Sequence, residues 1–240
     1  MSDGSVEISV IGPVAVLTLC REAKLNALST HLERALDDAL RSEAVRGAGA
    51  VVVTGGEGVF SAGADVNELR AMNPAAIAEY YRDSGAVYER FAALPQPTVA
   101  AIAGYCLGGG FELALAADLR VADEGAVFGF PEVGIGILPS SGGVTRMVRA
   151  VGPARARDLI LRCRRMDPGQ AHDWGLLTEV TPRGEHLARA LEIAGELAAQ
   201  PPLAVQIAKQ VIDAATDAPR EAALLLERLA YAALNRTESN

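Results

Sequence analysis

Two glutamates stand where a charged side chain is costly. Glu112 falls inside the otherwise apolar segment Phe111–Ala117, and Glu132 follows Phe130-Pro131 and precedes the apolar run Val133–Leu138. A carboxyl enclosed by such neighbours must be paired or put to use, because leaving it charged and alone away from water is expensive. The use open to two carboxyls is general acid–base chemistry. Two glycine-rich turns, Gly55–Asp65 and Gly104–Glu112, accompany them. Each follows a run that reads as a buried strand and leads towards a helix, so its N–H groups point outward unsatisfied where the helix dipole favours negative charge. Two converging N–H groups would make an oxyanion hole, and Glu112, three residues after Gly109, would sit about one helical turn beyond such a donor. Neither signal decides alone. A glycine-rich turn is often only structural, and each glutamate taken singly could equally lie at the surface or in a salt bridge.

Other chemistries find no support. His31, His172 and His186 sit in helical, polar-flanked contexts, and no Gly-x-Ser-x-Gly elbow surrounds a serine. No Walker lysine follows a glycine-rich loop, and Gly104 to Gly110 lacks the spacing of a dinucleotide fingerprint. Cys20, Cys106 and Cys163 are far apart and show no metal or redox spacing, so they read as small buried hydrophobes in a reducing compartment, and no metal is expected. A net charge of −8 and a pI near 5.0 argue against a general nucleic-acid or anionic-membrane surface, both of which need clustered Lys and Arg. The opening MSDGSVEISV lacks the basic and apolar regions of a signal peptide, and the long uncharged stretch Phe91–Phe111 is broken by Pro95, Pro97 and glycines. The expectation is a cytoplasmic protein without a membrane span.

The elements that must position these residues follow from periodicity. The chain has 240 residues, half of them hydrophobic but only 5% aromatic, so its core is built from Ala, Val, Leu and Ile. Val6–Val10 and Val14–Cys20 alternate as a hairpin about Gly12-Pro13. Thr30–Glu33 has the form of a capping box, predicting a helix over 30–45. Ala50–Thr54 and Thr98–Ala103 are continuous apolar runs, as expected of strands buried on both faces. Asn73-Pro74 opens a helix towards Leu94, a helical Phe111–Ala117 follows the second glycine turn, and Leu119–Ala122 and Ala126–Phe130 read as short strands. Helices are expected over Gly143–Val151, Ala154–Cys163 and Pro168–Trp174, and after Thr181 only helical patterns remain, separated by Pro201-Pro202 and Pro219. This is an α/β chain with repeated strand-and-helix units, divided into a core over 1–182 and a helical region over 183–240. The last helix has a broad apolar face (Ala222, Leu225, Leu226, Leu229, Ala233), which must either pack on the core or meet another subunit.

The motifs together resemble one family. Phe60–Asp65 (FSAGAD), Gly104–Glu112 (GYCLGGGFE), Ala117–Ala122 (ADLRVA), Phe128–Glu132 (FGFPE) running on to Pro139–Arg146 (PSSGGVTR), Asn26-Ala27-Leu28, and Trp174-Gly175-Leu176 with Glu179-Val180 are similar, in order, to the crotonase or enoyl-CoA hydratase/isomerase superfamily, most like its hydratases. The resemblance covers nearly the whole chain. It implies a crotonase (ClpP-like) β-β-α spiral core with a C-terminal helical region that assembles homotrimers, paired into hexamers. By the residue match, the N–H groups of Ala64 and Gly109 would hold the thioester carbonyl oxygen. Ala62, Gly63, Ala64, Asp65 and Val66, with the stretch before Asn26, would line the site of an acyl-CoA thioester. Arg21 or Lys24 could meet its phosphates or be ordinary solvated cations.

The same match makes Glu112 the base on water and Glu132 the group that gives or holds the proton at C2. The implied reaction adds water to a trans-2-enoyl-CoA and gives a 3-hydroxyacyl-CoA, with coenzyme A as part of the substrate and no separate cofactor. The alternatives are an isomerase of the same fold, which can work with one carboxylate, and a non-catalytic CoA-ester or RNA-binding relative. Two departures from the pattern stand out: Ser140 where hydratases commonly carry a glycine whose N–H helps position water, and an end at Asn240 about a helix before the usual family C-terminus, which leaves open how the acyl or CoA site is closed.

Overall fold

The structure is a computed structural model and describes residues 3–237. Chain order begins with β1 (Ser5–Ile11), β2 (Val14–Cys20), α1 (Thr30–Leu40), α2 (Glu43–Arg46), β3 (Ala50–Thr54), α3 (Val66–Ala71) and α4 (Pro74–Ala92). It continues with β4 (Thr98–Ile102), β5 (Tyr105–Leu107), α5 (Gly109–Ala116), β6 (Leu119–Asp123), β7 (Val127–Gly129), α6 (Gly143–Leu161) and β8 (Arg165–Met166). The last elements are α7 (Pro168–Asp173), β9 (Glu179–Thr181), α8 (His186–Ala198), α9 (Pro202–Asp217) and α10 (Arg220–Thr237).

Six strands form one sheet in the order β1-β2-β3-β4-β6-β9, antiparallel only at the β1–β2 hairpin. Its central strands β3 and β4 are buried along their whole length because both faces are covered. Ala15, Leu17, Val51, Val53, Ala100 and Ile102 join the larger core with α1, α4 and α5. Their sequence neighbours Val14, Val16, Ala50, Val52, Val99 and Ala101 meet Ala190, Ile193 and Ala194 of α8 on the other face. The loss of strand pattern after Thr181 therefore does not coincide with a loss of packing. Helix α8 lies beyond the 182/183 division yet covers the central sheet. The following pair is different: α9 has no fully buried residue, and Lys209 ties it to the sheet edge through Asp118 Oδ2 at 2.8 Å.

Of the second layer the sequence reading found β7, within Ala126–Phe130, and missed β5 and β8. β5, β7 and β8 form a short sheet, and β5 lies inside what reads as the second glycine turn. The first glycine turn joins it: Ser61 pairs with Cys106, and Ala64 pairs with Leu28. Each repeat thus sends one strand to the large sheet, one extended segment to the small layer, and then a helix, which is the β-β-α spiral. Three-residue strands rich in glycine carry too little side-chain alternation to register as strands.

Two helix boundaries also differ from expectation. The cap of α1 is Ser29, whose hydroxyl accepts from Leu32 N–H, so the 30–45 helix ends at Leu40 and a separate turn, α2, starts under its own cap, Ser42. Glu33 is not a capping-box partner but a buried side chain. The two helices expected around residue 152 are present: within α6, Gly152 leaves the helical region at φ +77°, ψ 164° ahead of Pro153 and separates them.

Candidate active site

Asn26 ties the site together. Leu25 and Asn26 adopt left-handed backbone angles, which an asparagine tolerates and which turns its amide into the fold. There Nδ2 donates to the carbonyls of Gly55 (3.0 Å) and Val59 (2.8 Å), while Oδ1 accepts from Arg21 N–H at 2.7 Å. Ser61 Oγ donates to the Asn26 carbonyl and accepts from Gly63 N–H. Ala62 N–H reaches the Leu25 carbonyl, Leu28 N–H the Gly63 carbonyl, and Asp65 N–H the Leu28 carbonyl. The loop 21–28 and the first glycine turn are therefore one hydrogen-bonded unit.

This unit presses against the start of α5. A Cβ built on Gly63 would lie 3.4 Å from the Gly109 nitrogen, and one built on Gly109 would lie 3.6 Å from the Ala64 nitrogen. Neither the Ala64 N–H nor the Gly109 N–H has an acceptor among the described residues. Ala64 pairs with Leu28 through its neighbours' groups, and Gly109 opens a helix, where N–H groups are left over. Two free donors thus meet at one place, one from each glycine turn.

Both glutamates are enclosed, Glu112 at 4% exposure and Glu132 at 8%, but their settings differ. Glu112 Oε1 accepts from Ser141 N–H (2.7 Å) and Gly143 N–H (2.8 Å). Burial raises its pKa, and those two N–H groups together with the nearby Arg146 charge oppose the rise. Glu132 opens a 3-10 turn over Glu132–Ile135. Its Oε2 is buried and without a partner among the described residues. Burial first, and then the Glu112 charge, push it up to about 7. Each carboxyl is pressed against a glycine. A Cβ on Gly143 would stand 2.6 Å from Glu112 Cγ, and one on Gly108, which adopts φ +51°, would stand 2.5 Å from Glu132 Oε1. Tyr81 of α4 feels both carboxylates; burial first and then their charge raise its pKa, so its hydroxyl keeps its proton.

The remaining residues of interest divide clearly. Asp65 caps α3, accepting from Asn67 and Glu68 N–H. Although partial burial works the other way, the Arg21 guanidinium at 2.8 Å and those N–H groups hold its carboxyl below the usual range. Arg21 is therefore committed to Asp65 and to the Ala27 carbonyl, and is not a free cation for a phosphate. Lys24 is exposed and has no ion pair among the described residues. Val66 begins α3 at half-buried depth. Ser140 is exposed and lines an open cavity of about 520 Å³ with Tyr81, Val133, Gly136, Ile137 and Leu138. Glu112 takes the N–H groups of Ser141 and Gly143 and leaves that of Ser140 unused. The sequence reading missed Glu33, Ser84, Tyr88 and Ser141, which meet behind Glu112. The signal was Glu33 itself, a charge in the spacing 29, 33, 36, 40 otherwise held by buried residues.

Comparison with known proteins agrees with this geometry. A family model described as enoyl-CoA hydratase/isomerase matches residues 11–239. A 2,3-dehydroadipyl-CoA hydratase of Escherichia coli is 38% identical over 94% of this chain and 88% of its own length. A short-chain-enoyl-CoA hydratase of Clostridium acetobutylicum is 36% identical over 95% of this chain and 88% of its own. The crystal structure of an enoyl-CoA hydratase from Bacillus anthracis superposes with a TM-score of 0.90 at 35% identity, covering 95% of this chain and 89% of that one. The chain belongs to the enoyl-CoA hydratase/isomerase family.

Proposed function

We propose that Ala64, Gly109, Glu112 and Glu132 carry the hydration of a trans-2-enoyl-CoA thioester to the 3-hydroxyacyl-CoA. The reaction class, that of a hydro-lyase, is the one the family and the hydratase relatives indicate. The observation that carries the residue assignment is the pairing of two unclaimed N–H groups with two carboxyls in unlike settings. The thioester oxygen accepts from Ala64 and Gly109 N–H, which polarises the conjugated system and stabilises the enolate charge that builds as water attacks. Glu112, whose two N–H bonds favour its charged form against burial, takes a proton from the water whose oxygen bonds to C3. The C2=C3 electrons move towards the thioester, and Glu132, poised near neutrality, gives its proton to C2. Passage of the proton from Glu112 back to Glu132 restores the enzyme, and one water has been added.

Ala62 to Val66 and the exposed Lys24 suit a CoA site, with Lys24 facing the phosphates, and the cavity beside Ser140 and Leu138 suits the acyl chain. No cofactor is needed for these steps. An isomerase needs one carboxylate; the second, with an open buried oxygen, favours hydration. For assembly, a homotrimer or dimer of trimers would cover Leu203, Ile212, Leu225, Leu226 and Leu229, which α9 and α10 leave exposed. A cytoplasmic location fits the acidic composition and the three free cysteines; among the described residues no helix is long and apolar enough to cross a membrane. The test follows the loss of enoyl-thioester absorbance with short- to medium-chain 2-enoyl-CoAs. Wild-type protein should remove the signal and Glu132→Gln should not. CoA-ester binding without loss at any chain length would overturn the reading.

A further inference from the structure

A third buried carboxyl lies outside the four-residue machinery. Glu33 of α1 is 4% exposed, and three hydroxyls of α4 converge on its Oε1: Ser84 Oγ at 2.7 Å, Tyr88 at 3.0 Å and Tyr80 at 3.4 Å. With its proton given to Glu33, Ser84 Oγ is the acceptor for the Ser141 hydroxyl, 3.1 Å away. The N–H of the same Ser141 donates to Glu112 Oε1 at 2.7 Å. An unbroken line thus runs from Glu33 through Ser84 and Ser141 to the carboxylate that removes the water proton. Ser84 and Ser141 are both buried, at 3% and 4% exposure.

We infer that Glu33 is a positioning residue for Glu112: through Ser84 and Ser141 it fixes the peptide N–H that orients the base. The inference rests on the proposed role of Glu112. The line ends in a backbone N–H and carries no proton onward; what it transmits is geometry. Burial raises the Glu112 pKa, and its two N–H bonds oppose the rise. A loosened Ser141 peptide would raise the Glu112 pKa as well as misplace its oxygen.

Glu33 has its own route to solvent. All three hydroxyl bonds use Oε1, and the residue lines a cavity of about 470 Å³ between α1 and α4. Arg34 and Asp37 of α1 and Glu79, Asp83 and Arg90 of α4 line the same cavity, and Glu68 of α3 adds a like charge. Burial first, against the three hydroxyls, raises the Glu33 carboxyl to about 7. Its Oε1 accepts from Ser84 in either charge state. The groups facing Glu112 are Glu132 from the 3-10 turn, Tyr81 and Tyr88 from α4 and Arg146 from α6.

The experiment compares Glu33→Met, Ser141→Ala, their double variant and Glu33→Gln in the full chain. Glu33→Met and Ser141→Ala should each lower kcat about tenfold with KM within about twofold, and should move the acidic limb of the kcat/KM profile to higher pH. The double variant should be no worse than the poorer single one, because both cut the same line. Glu33→Gln, which keeps an acceptor oxygen for Ser84, should stay within about threefold of wild type. A merely structural role would lower the amount of folded protein without moving the limb. An unmoved limb, or effects that multiply in the double variant, would overturn the inference. Amide hydrogen exchange across 139–143, measured without substrate, separates this from the reaction itself. Faster exchange in Glu33→Met and Ser141→Ala supports the positioning line even if no enoyl-CoA is hydrated, and unchanged exchange refutes it even if one is.

Discussion

The two walls of the site are built on opposite principles. On the Glu112 wall two backbone N–H groups hold Oε1, and a serine pair backs one of them. On the Glu132 wall a buried oxygen is left without a partner, at a cost the fold must bear. Burial raises both carboxyls; at Glu112 two N–H bonds to the charged form oppose the rise, and at Glu132 the charge of Glu112 adds to it. Environment therefore sets two identical side chains apart, as the proposed base and acid require.

The sharpest way to break the comparison is to replace each carboxyl by its amide. Glu112→Gln and Glu132→Gln should each lower kcat by about a thousandfold in the enoyl-thioester absorbance assay, with little change in KM. Near-full activity in either would show that its wall is not part of the chemistry.

Crowding the walls should give smaller and unequal effects. Gly143→Ala pushes a methyl into Glu112 and Gly108→Ala pushes one into Glu132, and each should cost about tenfold to a hundredfold in kcat. Only Gly108→Ala should also lower stability, by roughly 1–2 kcal/mol, because only Gly108 has a left-handed φ. Urea denaturation of the two variants distinguishes the cases.

The walls should also differ in how stability depends on pH. The folded-state pKa of Glu132 is raised to about 7 from an ordinary 4.5, so the native state keeps its proton longer than the unfolded chain does. Stability linked to this group is full below the unfolded value and is lost as pH rises through about 7. Glu132→Gln should therefore melt above wild type near about pH 8 and close to it near about pH 5. Burial also raises the Glu112 pKa, but two N–H bonds to its charge oppose the rise, so the same substitution there should show a smaller gain. The smallest effect is expected outside both walls: Lys24→Ala should raise KM for the CoA ester about twofold to threefold, less so at high salt.

The long strands and helices were legible because they obey simple periods. Val51 to Val53 and Ala100 to Ile102 are apolar on both faces, and the glutamates announced themselves by their apolar neighbours. β5 and β8 were not legible, because two or three residues beside glycines have no period to read. Glu33 was misread for another reason. Thr30–Glu33 satisfies the pattern of a capping box, but Ser29 takes the cap, and the carboxyl turns inward to hydroxyls from residues 80, 84 and 88. A short-range pattern cannot reveal a partner fifty residues away. Likewise, the match of Arg21 to a phosphate contact lacked knowledge of Asp65, which lies far along the chain and next to it in space.

The chain has only two lysines, and the fold treats them very differently. Lys209 is spent on Asp118 with its side chain 10% exposed, whereas Lys24 stands in solvent on the loop that Asn26 fastens to the site. For amine chemistry the folded molecule therefore offers one readily accessible side-chain nucleophile. A fluorophore coupled there would ride on a loop whose next residue, Leu25, is hydrogen-bonded to Ala62 of the turn that holds Ala64, ready to report each ligand that arrives.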